Sequence, residues 1–164
     1  MPLTPSALPA GSLGPSSPPD DPSSRFRALI EGLRSIAVQG YRPDGEVIYW
    51  NDASTRLYGY THEEALGGNL LDLIIPHEAR ETVRARIAAM FPSGDGGPPE
   101  DLVLRHKDGH GVPVTSNHVV IRTPEHGTEL FCIDIDLAPQ QRQQAQLIQA
   151  QKMDAIGRLT GGIA

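Results

Sequence analysis

Three turn signals, each set between short runs of alternating apolar residues, constrain this chain more than any other feature. Arg42-Pro43-Asp44-Gly45 separates residues 36–41 from 47–50; Lys107-Asp108-Gly109 separates 102–104 from 112–121; residues 124–127 separate that run from 130–137. Proline at the second position and glycine at the fourth suit a type I turn in the first of these. Turns this tight join antiparallel neighbours, so the runs predict one antiparallel sheet of five strands. On the last strand Phe131, Ile133, Ile135 and Leu137 share a face, because successive side chains alternate.

The stretch between the second and third strands has a helical period. Asn51 suits an N-cap for a helix over 52–58, stopped by Gly59. Thr61-His62-Glu63-Glu64 matches a capping box whose helix ends at Gly67-Gly68, and a further turn covers 70–73. Pro76 opens a longer helix carrying Ala79, Val83, Ile87, Met90 and Phe91, and 92–99 is a loop. Phe26, Leu29, Ile30 and Leu33 give a lead-in helix over 25–34. The expected class is α+β: a five-stranded antiparallel sheet with short helices on one face and a long C-terminal helix.

Composition divides the chain into three. Residues 1–24 hold seven prolines and six serines with no aromatic or basic side chain, and are expected to form a disordered tail. Residues 25–138 are the folded unit. In 139–164, seven glutamines between 140 and 151 favour an exposed helix, after which Met153, Ile156, Leu159 and Ile163 form an apolar stripe. The glutamine-rich stretch holds that stripe away from the core, so it calls for a partner helix, with a second copy of the chain the simplest one; the alternative is an ordinary terminal helix docked on the domain.

Charge and cysteine usage exclude several classes. The net charge is −6, and the 14 basic residues are scattered, so no nucleic-acid surface is expected. Cys132, the single cysteine, rules out an intramolecular disulfide framework and a cysteine-based zinc site. No apolar run reaches the roughly 20 residues of a membrane span, and the first residues lack the pattern of a signal peptide. The expected location is cytoplasmic.

Two stretches carry a family resemblance. Tyr41-Arg42-Pro43-Asp44-Gly45, Val47-Ile48-Tyr49-Trp50-Asn51-Asp52-Ala53 and Leu57-Tyr58-Gly59-Tyr60-Thr61-His62-Glu63-Glu64-Ala65-Leu66-Gly67 resemble a PAS sensory domain, as do the Lys107-Asp108-Gly109 turn and the Asp136-Leu137-Ala138 ending. Leu137 and Ala138 stand where that family usually has isoleucine and threonine. Residues 151–164, QKMDAIGRLTGGIA, resemble the start of the dimerisation helix of bacterial, hybrid-type sensor histidine kinases, where the phosphoacceptor histidine comes next. The resemblance implies the sensory input module of a two-component kinase, dimeric through Met153, Ile156, Leu159 and Ile163, reaching a response regulator only through a kinase core. The alternative is a free-standing PAS module that binds a ligand or partner and has no kinase activity. Residues 1–164 contain neither a Gly-x-x-x-x-Gly-Lys loop nor the kinase family's nucleotide boxes, so this segment alone is expected to be inactive.

The resemblance also directs attention to a pocket between the sheet and the short helices. Its candidate lining is Ile48, Trp50, Leu57, Leu73, Ile74, Val83, Ile87, Val119, Phe131 and Ile133. A packed core without ligand and an unknown small ligand both fit this list. No cofactor is expected. In Gly67-Gly68-Asn69-Leu70, leucine stands where flavin-binding relatives need a thiol, and His77 comes too early to ligate haem. His106, His110 and His118 flank one hairpin without a carboxylate pattern, so no metal site is expected. Asp134 and Asp136 lie two apart on the last strand and are expected on its solvent face; no catalytic residue is expected.

Overall fold

Short-range polar bonds set the first hairpin and the helix that follows it. The computed structural model describes residues 22–162. Strand β1 (Ile36–Tyr41) and strand β2 (Val47–Trp50) meet across a turn in which Gly45 N–H donates to the Arg42 carbonyl at 2.9 Å. Gly45 sits at φ 87°, a left-handed conformation that glycine adopts without strain. Asn51 then caps helix α2 (Asp52–Tyr58) and also ties it to the sheet. Its Oδ1 accepts from Ser54 N–H and from Val38 N–H, both at 3.0 Å, and its Nδ2 donates to the Ile36 carbonyl at 3.0 Å. Asn51→Ala removes the cap and two strand anchors together. The expected loss is about 2–3 kcal/mol, read by urea denaturation; a loss below about 1 kcal/mol would assign Asn51 a cap role only.

Thr61 and Glu64 complete the capping box of α3 (His62–Ala65), and Asn69 caps α4 (Leu70–Leu73) through Leu71 N–H. A 3-10 turn at His77–Ala79 leads into α5 (Arg80–Ser93). That helix runs past Pro92, further than the loop pattern of 92–99 predicts. Arg122 Nη2 donates to the Phe91 and Pro92 carbonyls at 2.9 and 2.8 Å, and Gly94 closes the helix at φ 73°. Strands β3 (Glu100–Arg105), β4 (Gly111–Thr123) and β5 (Gly127–Asp136) follow, then α6 (Ala138–Gly161).

The sheet has five antiparallel strands in the order β2-β1-β5-β4-β3, so the first and last strands pair at its centre. Helices α2 to α5 cover one face, and the buried core lies between them and the sheet. The opposite face also has a helix. Helix α1 (Pro22–Gly32) sets Phe26 and Ile30 beside Val38, Tyr49, Val119, Phe131 and Ile133. Residues 22–24 belong to that helix and not to the predicted tail; the rest of the tail lies outside the described residues.

Helix α6 leaves the sheet at a fixed point. Leu137 N–H donates to the Pro113 carbonyl at 2.9 Å, and Asp136 Oδ1 accepts Ala138 N–H at 2.9 Å. Beyond that anchor no residue of α6 is buried: Met153 is 60% exposed, Ile156 54% and Leu159 73%. Ile163, the last member of the predicted stripe, lies outside the described residues. Among the described residues no helix is long and apolar enough to cross a membrane.

Candidate functional site

Strand register decides which side chains reach the pocket. Ser116 pairs with Asp134, His118 with Cys132 and Gln39 with Cys132, so these polar groups point together toward the helical layer. With α5 they enclose a cavity of about 90 Å³. Its apolar wall includes Leu70, Ile74, Ile75, Val83, Ile87, Met90, Leu102 and Leu104. Arg86 and Glu100 flank the cavity and are joined by two hydrogen bonds, Nη1 to Oε2 at 3.0 Å and Nη2 to Oε1.

Three of the predicted lining residues, Ile74, Val83 and Ile87, lie along this cavity. Val119, Phe131 and Ile133 do not; they lie on the opposite face under α1. The inward residues of β5 are Leu130, Cys132 and Asp134. The apolar set was expected to face the core, but both faces of the central strands are covered, so hydrophobicity does not identify the inner one. Trp50 is buried beside the cavity rather than on it. Its ring centroid lies 5.8 Å from that of Tyr58, and Nε1 donates to Thr55 Oγ1 at 3.2 Å. Leu57 lines a separate groove with Ile135 and Pro139, and Leu73 packs on the rim of the core. Ile48 falls at the irregularity where β2 shifts register against β1, and is half-buried.

Asp134 overturns the expectation of a solvent-facing pair. It is 1% exposed, whereas Asp136 anchors α6. Tyr58 donates its hydroxyl hydrogen to Asp134 Oδ2 at 2.6 Å, while Oδ1 is buried without a hydrogen-bond partner. Burial raises the Asp134 pKa above the ordinary carboxylate range, although Ser116, Tyr58 and Gln39 around the carboxyl oppose the rise. Burial, and then the neighbouring Asp134 charge, push the Tyr58 hydroxyl and the Cys132 thiol well up, so Cys132 stays a thiol near neutral pH. Leaving one buried polar atom unmet costs about 1–3 kcal/mol. Sequence reading missed this site. The available signal was the alternation itself: Ser116 and His118 on β4, and Asp134 on β5, fall on the same faces as apolar residues such as Val114 and Leu130.

The Asp134 shift has a definite sign. A carboxyl that binds its proton more tightly when folded stabilises the fold below its unfolded pKa and loses that contribution as pH rises through the folded pKa. Asp134→Asn removes the titration and keeps the shape. Its Tm relative to wild type is expected to climb by several degrees between about pH 4 and about pH 8. A flat difference across that range would mean that Asp134 does not titrate with folding.

His118 also faces the cavity. Its Nδ1 is buried without a partner, and burial lowers its pKa, which favours the neutral ring. His106 and His110 are elsewhere, on the β3–β4 turn, and Asp108 supplies the carboxylate that their spacing did not reveal. Asp108 Oδ1 lies 3.1 Å from His106 Nδ1 and 2.5 Å from His110 Nδ1. The two rings stack at 4.4 Å with an interplanar angle of 21°. One nitrogen or oxygen from each of His106, Asp108 and His110 lies within 4.8 Å of the others, a spacing that could hold a metal ion, and the same contacts staple the turn. His77 lies in the 3-10 turn, exposed and off the cavity, and Leu70 lines the wall.

Comparison with known proteins agrees with this architecture. A sequence model described as a PAS domain matches residues 19–137. The PAS domain of a Colwellia psychrerythraea protein superposes with a TM-score of 0.59 at 24% identity, covering 68% of this chain and 94% of that one. A Desulfitobacterium hafniense PAS domain gives 0.57 at 22% identity, covering 67% and 99%. A domain of the sensory box sensor histidine kinase/response regulator from Geobacter sulfurreducens gives 0.56 at 19% identity, covering 70% and 93%. With the family model spanning most of its length, this chain belongs to the PAS domain family.

Proposed function

We propose that this PAS domain is the sensory input module of a cytoplasmic two-component histidine kinase. It passes its state along α6 to a phosphoacceptor histidine, and the response regulator meets the kinase core rather than this domain. The observation that carries the reading is α6. The helix leaves the central strand through the Asp136 and Leu137 anchors, then presents Met153, Ile156 and Leu159, each more than half exposed among the described residues. An apolar stripe on a projecting helix gains about 25 cal/mol per Å² by pairing, and a second copy offers the same stripe. Residues 151–164 support the same reading through their resemblance to the kinase dimerisation helix. The likeness to the Geobacter domain concerns the fold.

A coupling of about 1–3 kcal/mol between pocket and helix suffices for such a module. The route is short, since Asp134 and Asp136 are two residues apart on one strand. Sedimentation equilibrium of the chain tests the reading. A dimer at micromolar concentration is expected; a monomer at every concentration would remove the helix from the signalling path.

A further inference from the structure

We propose that the β3–β4 turn holds a divalent transition-metal ion of the zinc class through His106, Asp108 and His110. The inference is separate from the kinase reading, since it needs neither the cavity nor a second copy of the chain. One nitrogen or oxygen of each residue lies within 4.8 Å of the others. The turn itself gathers them. His106 N–H donates to the His110 carbonyl at 2.9 Å, and Gly109 N–H donates to the His106 carbonyl at 2.9 Å. The two rings stack side by side, and Asp108 bends back toward them, its Oδ1 accepting His110 N–H at 3.1 Å.

The hydrogen bonding leaves a place for a cation. Asp108 N–H donates to His106 Nδ1 at 3.1 Å, so that nitrogen presents a lone pair and the ring hydrogen is on Nε2. Asp108 Oδ1 stands 3.1 Å from the same nitrogen, and a carboxylate oxygen only accepts. Two electron-rich atoms therefore face each other with no hydrogen between them, and a cation satisfies both. The carboxylate form is the one present, because bonds from the His110 N–H and then its ring hold Asp108 below the ordinary carboxylate range. Lys107, the neighbouring cation, is engaged elsewhere, with Nζ 2.5 Å from Glu64 Oε1.

Geometry and ligand chemistry narrow the ion. A tetrahedral ion bound at about 2.0–2.1 Å holds its ligand atoms about 3.4 Å apart. His106 is the fixed member. A Cβ at Gly59 would lie 2.5 Å from its Cε1 and Nε2, so that edge of the ring is packed against the end of α2 and Nδ1 is the edge left for the ion. His110 and Asp108 are 60% and 63% exposed and free to adjust. His110 Nδ1, now 2.5 Å from Asp108 Oδ1, retreats as the ion replaces the hydrogen between them, which moves to Nε2. Two imidazoles and one carboxylate suit zinc, nickel or copper, whereas magnesium and calcium take oxygen sets. Three protein ligands leave at least one position for water.

Titration calorimetry of the full chain with Zn²⁺, read together with the ring proton signals of its histidines, tests the inference. One ion per chain is expected, with a Kd on the order of 10 μM. The ring signals of His106 and His110 should move and those of His77 and His126 stay. About a hundredfold excess of Mg²⁺ should not displace the ion. His110→Ala and Asp108→Asn should each weaken binding at least about tenfold, the low end of what even an outer partner of a metal site costs. His77→Ala should leave it unchanged. Circular dichroism checks that the variants fold; if one does not, the ring signals of the unaltered chain still decide. A Kd above about 1 mM, ring shifts at other histidines alone, or an affinity that neither variant lowers would overturn the inference and leave these contacts as a staple of the turn.

Discussion

Replacing Ile156 and Leu159 together by glutamate is expected to yield monomers while the sheet domain keeps its unfolding temperature. Both side chains are more than half exposed on α6, and Met153 beside them is 60% exposed, so neither change removes a contact from the domain. In a parallel pair of helices the same positions face their copies. The double variant then places four carboxylates along one seam and removes its apolar area. At about 25 cal/mol per Å², losing two branched side chains from each helix weakens association by several kcal/mol, more than a hundredfold in Kd. Sedimentation reads the assembly and circular dichroism the fold. If the double variant stays dimeric, the contact lies on the domain, where α1 leaves Phe26 and Leu29 about 60% exposed. If the domain unfolds with it, α6 packs against its own core in solution.

The largest single-residue effect on stability is expected at Gly96. A Cβ there would sit 2.5 Å from the carbonyl carbon of His118 and 2.9 Å from its Cβ. The obstacle is mainly the backbone of β4, which is paired with β5 at this point, His118 opposite Cys132. Relief requires moving either the 94–99 loop or the strand. The loop is fastened by Gly97 N–H to Asp95 Oδ1 at 2.9 Å and by the Arg122 bonds to the end of α5. Gly96→Ala should cost about 3 kcal/mol, a fall in Tm on the order of 10 °C. Gly97→Ala is the control. Its Cβ meets nothing, and only its φ of 74° carries strain, worth about 1 kcal/mol. Equal losses at both positions would show that the loop yields rather than the strand. His118 lines the cavity, so the same variant should disturb the pocket amides as well.

The turns and caps were legible because each depends on a few adjacent residues. Asn51, the Thr61–Glu64 box, Gly59 and the three hairpin turns carry their instructions locally. Gly96 was not legible, since what it must avoid lies on β4, more than twenty residues further along the chain. The inward face of the sheet was hidden for another reason. Phe131 and Ile133 are as apolar as Leu130, and nothing within β5 tells which set α1 covers and which the other helices cover. Asp134 was read as a surface residue because an aspartate usually is one. Only the pairing with Ser116, and the arrival of Tyr58 from α2, make its burial intelligible.

The central position of β1 and β5 has a consequence for the order in which the chain assembles. These strands are adjacent in space yet close to a hundred residues apart in sequence, from Ile36 opposite Ile135 to Tyr41 opposite Leu130. The β1–β2 hairpin and the β3-β4-β5 meander each close over short loops. Joining them means closing one long loop, at an entropic cost of about 4 kcal/mol that only the completed seam returns. The β1–β5 seam therefore carries the largest loop-closure cost in the sheet. Asp134 lies on that seam opposite Ala37, so its buried site, and the pocket wall it belongs to, exists only once this long-range pairing has closed.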